Sequence, residues 1–258
     1  MINLYKDLHA AYWGGALLIC IIAIVLVSLL PGYREPVFLV CICLLVVNML
    51  IISRIAKIRF ADEVLGLMTS CRINEYIDKL DLRMGKKKSA IQKSAYGYMK
   101  AMGYFLLGDA EHEYECTNLI TARSHQTERI KYLADYYIRT GDYDEAREIL
   151  GQLEEVAARE RSDIYRETLF QFIQMQDYRM RINNGDYEGA EEFYLEEIGK
   201  SSNNILLHQV ALRCALGNLL VLKGENERAA QYLEFASQKG GDTKFKKHAD
   251  ELLARISA

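Results

Sequence analysis

A chain of 258 residues, half of them hydrophobic and carrying a net charge of −3, allows one large domain or two small ones, and lacks the basic excess that nucleic acid demands. The mean hydropathy is close to zero, at −0.08, so the apolar residues must be concentrated in one region and diluted in another. The only two prolines, Pro31 and Pro36, fall in one short stretch, which leaves everything after it free to be helical.

The concentrated region comes first. From Ala10 to Leu30 no residue is charged, and at about 1.5 Å per residue this helix reaches roughly 30 Å, the depth of a bilayer's hydrocarbon core. A second apolar run, Val37 to Ser53, contains one amide, Asn48, which is read as bonding to the partner helix. The connection Pro31-Gly32-Tyr33-Arg34-Glu35-Pro36 is short enough to force an antiparallel hairpin. Tyr12, Trp13 and Tyr33 sit where amphipathic rings favour the interface. The exit carries Arg54, Lys57 and Arg59, while the loop offers only Arg34 beside Glu35. This bias predicts both termini in the cytoplasm and the loop outside, and the expected location is a bacterial cytoplasmic membrane. A signal peptide is disfavoured by the second run and by the lack of a clear cleavage site.

Six cysteines lack framework spacing and read as small buried hydrophobes in a reducing compartment. Cys41 and Cys43 point about 200° apart on a helix, which argues against a redox pair.

After Phe60 the apolar positions fall on helical periods between frequent charges. Asp62 to Met84 is expected as one amphipathic helix. Then a turn recurs: Gly141-Asp142-Tyr143-Asp144-Glu145-Ala146, again at Gly185-Asp186-Tyr187-Glu188-Gly189-Ala190, and loosely at Gly224-Glu225-Asn226-Glu227-Arg228-Ala229, with Gly108 as an earlier marker. Such a turn supplies a left-handed glycine to end one helix, an acidic cap or capping box for the next, and a small residue for close packing. A second helix follows each turn, such as Asp144 to Ala158 and Glu188 to Gly199. The last stretch, Asp242 to Ala258, carries Phe245, Ala249, Leu252, Leu253 and Ile256 on one stripe, with Lys244 among the polar positions, and reads as a capping helix.

Leu133-Ala134, Tyr137, Gly141-Asp142, Ala146 and Leu150, echoed by Leu216-Gly217, Leu220, Gly224, Ala229, Leu233 and Ala236, resemble the tetratricopeptide repeat. The match at Gly185, Asp186 and Ala190 fails before the turn, where Tyr178 stands at a small position and Arg181 at an aromatic one. At Gly108 it fails after the turn, where Glu113 replaces the small alanine. The resemblance covers roughly residues 89 to 240 and implies an all-α chain: a transmembrane helical hairpin (residues 1–60) followed by an α-solenoid of stacked helix pairs (61–258). It also implies that the first helix of each pair lines a concave face gripping a protein or peptide. Counting back from the turn glycines, that face comprises Tyr98, Met102, Lys131, Asp135, Met175, Arg179, Cys214 and Asn218, with Arg139 beside them.

Chemistry is harder to find. Glu111-His112-Glu113-Tyr114-Glu115 lacks the second histidine of a zinc site and reads as a solvated acidic helix start. Gly85-Lys86-Lys87-Lys88-Ser89 lacks the upstream glycine and the hydroxyl of a phosphate loop. Lys86, Lys87 and Lys88, with Arg54, Lys57 and Arg59, can instead meet anionic headgroups. No enzymatic activity, metal or cofactor is expected. Two roles follow: a membrane-tethered scaffold binding a protein partner, or an accessory or assembly subunit of a membrane complex recognised through Asn48, Gly14 and Gly15.

Overall fold

The computed structural model describes residues 6–29, 31–83, 89–200 and 205–257. Every element among them is helical. The chain divides into two compact units, one of residues 1–66 and 81–85, the other of residues 67–80 and 86–258. Gly85, Lys86, Lys87 and Lys88 lie outside the described residues.

In the first unit, α1 (Lys6–Leu29) and α2 (Arg34–Phe60) pack as a hairpin about a 3-10 turn at Pro31–Tyr33. The loop is therefore shorter than expected: Pro36 lies inside the first turn of α2, where its missing N–H costs no helical bond. Asn48 Nδ2 donates to the Tyr12 carbonyl at 3.2 Å, the interhelical bond the sequence called for. Gly15 makes room for it, since a Cβ there would lie 3.1 Å from the amide, whereas Gly14 faces open space. Cys41 is buried and Cys43 exposed, the opposite directions that helical geometry dictates.

The second apolar helix outruns its expected end at Ser53. It continues through a π turn at Ala61–Leu65 into α3 (Gly66–Thr69), so that 35 residues, Glu35–Thr69, form one run. Ile52, Ala56, Phe60 and Val64 recur every four residues along it and are buried.

In the second unit the helix expected from Asp62 to Met84 is broken in two, because Cys71 adopts a positive φ of 62° and α4 (Ile73–Arg83) starts afresh. The next four helices are α5 (Ala90–Leu107), α6 (Ala110–Asn118), α7 (Gln126–Thr140) and α8 (Tyr143–Arg159). The remaining five are α9 (Asp163–Asn183), α10 (Ala190–Gly199), α11 (Leu206–Leu222), α12 (Asn226–Lys239) and α13 (Lys244–Ile256).

The four marker glycines share one geometry. Gly108, Gly141, Gly185 and Gly224 have φ between 80° and 85°. In each turn the next residue's N–H reaches the carbonyl five positions back: Asp109 to Tyr104, Asp142 to Tyr137, Asp186 to Arg181, Glu225 to Leu220. This is the bond that closes a helix end over a left-handed residue. The expected capping box at Asp142 does not form: its carboxylate accepts from the Thr140 hydroxyl at 2.8 Å and caps no helix. Asp186 likewise accepts from Arg181 Nε and from the Glu188 N–H. A reciprocal capping box occurs instead at Ser89 and Gln92, opening α5.

Small residues before and after these turns let the helices close. Ala101, Ala134, Ala146, Ala190 and Ala229 are fully buried, and a Cβ on Gly217 would meet Leu233 at 2.6 Å. One core joins α7, α8 and α9 through Ile138, Leu150, Leu153, Leu169 and Ile173.

The ends of this unit meet. Asp242 Oδ1 accepts from the Ile73 N–H at 2.6 Å, and Oδ2 from the Asn74 N–H at 2.8 Å and its Nδ2 at 2.7 Å. The Asp242 N–H in turn reaches the Cys71 carbonyl at 3.2 Å. The final helix is thus more than an end cap: its amino end lies against Gly108 at the end of α5, and the Cys214 thiol of α11 donates to the Phe245 carbonyl at 3.3 Å.

Candidate functional site

Where α6, α7, α9 and α13 come together, five charged side chains share one buried place. Asp135 and Arg139 stand one turn apart on α7 and pair at 2.7 Å. Arg139 also pairs with Glu113 of α6, and Arg179 of α9 pairs with Asp135. Gln176 Oε1 accepts from Arg179 Nη1 at 2.6 Å. Lys244, the first residue of α13, places its Nζ 3.4 Å from the centroid of the Phe105 ring. Glu113 and Asp135 are 1% and 2% exposed. Glu113 Oε1, the Tyr132 hydroxyl and Lys244 Nζ are buried without a hydrogen-bond partner.

Three cations against two carboxylates leave an excess positive charge when all are ionised. In low dielectric that excess is costly, and it vanishes if Lys244 gives up its proton. Lys244 tends that way, since burial pushes its ammonium down to about 8, whereas Glu113 tends the other way. Burial raises the Glu113 carboxyl to about 7 against the opposing pull of Arg139. Burial would also raise Asp135, but Arg179, Lys244 and Arg139 hold it below the usual carboxylate range.

The residues expected to line one groove separate into distinct settings. Asp135, Arg139 and Arg179 belong to the ionic cluster. Tyr98 stacks on His125, centroids 6.1 Å apart and rings nearly parallel. Its hydroxyl is pushed up to about 12, first by burial and then by Glu128 and Tyr165. Lys131 pairs with Glu128 at 3.2 Å and lies over the rings of Tyr165 and Phe172, 5.7 and 5.8 Å from their centroids. Met102 packs beside Cys116, Ile120 and Tyr132, Cys214 lies beneath α13, and Met175 and Asn218 are half-buried.

Sequence reasoning missed two members of the cluster. Glu113 was read as part of a solvated helix start. Its neighbours Glu111 and Glu115 are indeed exposed, but Glu113 points inward. The signal was present: it occupies the position where the other hairpins carry alanine. Lys244 gave no such signal, because only the return of α13 onto α5 buries it. His112 takes no part, pairing with Asp109 at 2.7 Å and stacking on Tyr104. Among the described residues no three His, Cys, Asp or Glu side chains are grouped to hold a metal. The chain matches no family model, no curated protein and no solved structure.

Proposed function

We propose that the protein is a membrane-tethered helical scaffold. In this reading α1 and α2 cross the bilayer as a hairpin and carry a tetratricopeptide-like α-solenoid on the cytoplasmic side, where it binds a protein or peptide partner. The observation that carries it is the surface of the hairpin. Leu17, Ile24, Leu29, Phe38, Leu39 and Leu50 are each 58–70% exposed, an apolar surface that water does not tolerate on this scale. At about 1.5 Å per residue, the stretch from Glu35 to Arg54 accounts for roughly 29 Å, one hydrocarbon thickness. Arg54, Lys57 and Arg59 then stand at headgroup depth, exposed. The partner-binding face is best supported around Tyr98, Lys131 and Tyr165, where rings and opposite charges are partly open. Asp135 and Arg179 act there as internal ties.

Two measurements test this. The full-length protein should stay in membranes through alkaline extraction, and a cysteine placed at Gly32 should react with an impermeant thiol reagent added from outside the cell. Release by alkali, or labelling only after permeabilisation, overturns the anchor or its orientation.

Two observations favour the second role, an accessory subunit of a membrane complex. Gly14 faces open space, and an apolar groove of about 320 Å³ runs between α1 and α2 past Ile22, Val37 and Val40; both suit a further transmembrane helix. Replacing residues 1–60 with an unrelated two-span hairpin separates the readings: retained activity supports the scaffold, loss supports the subunit.

A further inference from the structure

The second unit departs from its own repeat at one further place. Seven residues before the turn glycines stand Ala101, Ala134, Tyr178 and Gly217. Where the residue is small, the hairpin closes: α5 on α6, α7 on α8, α11 on α12. At Tyr178 it does not. The Tyr178 ring lies against Phe193, centroids 4.8 Å apart, and its hydroxyl would lie 3.1 Å from a Cβ on Gly189. A phenol cannot fit where a methyl group does, so it acts as a wedge at the turn, and α9 and α10 have almost no close backbone approach.

The wedge leaves an open groove of about 460 Å³ between the two helices. Phe170, 46% exposed, gives it an apolar floor, with the buried Phe193 beneath its far edge. Its rims carry Asp163 and Glu167 with Arg166 on α9, and Glu196 and Glu197 with Lys200 on α10. Both cations already have carboxylate partners, Arg166 with Asp163 and Lys200 with Glu196 and Glu197, so the rims stay acidic by two charges. From Asp163 to Gln174 the groove follows α9 for about 17 Å, some three helical turns.

We propose that this groove docks a cationic amphipathic helix of a partner protein. Its apolar stripe would cover Phe170, and its basic flanks would meet Glu167 and Glu196. This surface is separate from the face around Tyr98 and Lys131 and depends on neither the anchor nor that face.

The test uses intact protein in nanodiscs of zwitterionic lipid and a synthetic 18-residue helix of leucine and lysine with a central photo-crosslinking residue. Cross-links are mapped by mass spectrometry, so that peptide merely held by lipid is not counted. The cross-links should concentrate in residues 163–200 and fall at least tenfold with Phe170→Ser. They should also fall with Glu167→Lys combined with Glu196→Lys, both exposed positions that leave the fold intact. A peptide with glutamate in place of lysine should give none. Tyr178→Ala should let α9 and α10 close, lowering capture at an unchanged or higher thermal midpoint. Cross-links spread over other helices, equal capture of the acidic peptide, or indifference to the charge-reversed variant would each overturn the proposal.

Discussion

Asp242 caps the amino end of a helix that begins 169 residues earlier, accepting the Ile73 N–H at 2.6 Å. A second carboxylate oxygen takes the Asn74 N–H and amide, so one side chain satisfies the first free donors of α4 and fastens the turn before α13 to it. Asp242→Ala should cost about 1–2 kcal/mol, as lost caps do. Gly241→Ala should cost more, because the new Cβ would lie 2.0 Å from the Cys71 carbonyl at a φ of +58°. Thermal unfolding of the intact protein in detergent should rank wild type above Asp242→Ala above Gly241→Ala.

The ionic cluster predicts a difference between residues that the sequence placed in one groove. Asp135→Ala takes the carboxylate partner from the half-buried Arg179 and leaves Arg139 paired with Glu113, and should destabilise by about 3 kcal/mol. Replacing the pair together, Asp135→Leu with Arg179→Met, should recover much of that loss, since a buried ion pair is often no better than apolar packing. Lys131→Ala should leave the thermal midpoint near wild type. If partner binding can be assayed, it is Lys131→Ala that should lower it in a folded protein.

Stability should pass through a minimum between about pH 7 and 8. Glu113 holds its proton more tightly when folded, up to about 7, so the folded state binds more protons than the unfolded chain on the way up from the ordinary carboxylate range, and stability falls with pH there. Lys244 releases its proton earlier when folded, near 8. The unfolded chain then holds more protons above that point, and stability rises. A series of unfolding midpoints should show both limbs. Glu113→Gln should flatten the acid limb and Lys244→Met the alkaline one.

Two glycines of one pattern should fail for different reasons. Gly141 has φ of +85° and nothing within 4 Å of a Cβ. Its replacement by alanine should cost about 1–2 kcal/mol through backbone strain, and by asparagine less. Gly217 is helical, and a Cβ added there would lie 2.6 Å from Leu233. Alanine there should cost about 1–3 kcal/mol by overpacking, with asparagine worse than alanine. Chemical denaturation of the four variants distinguishes strain from crowding.

In the hairpin, Gly15→Leu should loosen α1 from α2 by displacing Asn48, whereas Gly14→Leu should not. Disulfide cross-linking of cysteines placed near Tyr12 and Asn48 should fall only in the first variant.

Much of this was legible in the residues alone. An uncharged run of spanning length gives a long apolar helix whatever surrounds it, and a glycine that must be left-handed marks a helix end without reference to distant contacts. The four turns and the Asn48 bond follow from such local rules. Departures from the repeat were legible too, as misfits: Glu113 and Tyr178 are each too large for a position that elsewhere holds alanine or glycine. Their consequences were not legible. Whether Glu113 faces water or Arg139 depends on α7 lying beside α6, and whether Tyr178 spoils a hairpin or opens a groove depends on Phe193 across the turn. Lys244 and Asp242 sit in a stretch whose local pattern reads as a polar helix start. Only the return of the final segment onto α4 and α5 turns one into a buried cation and the other into the cap of α4, because contacts at a separation of 169 residues leave no trace in local periodicity.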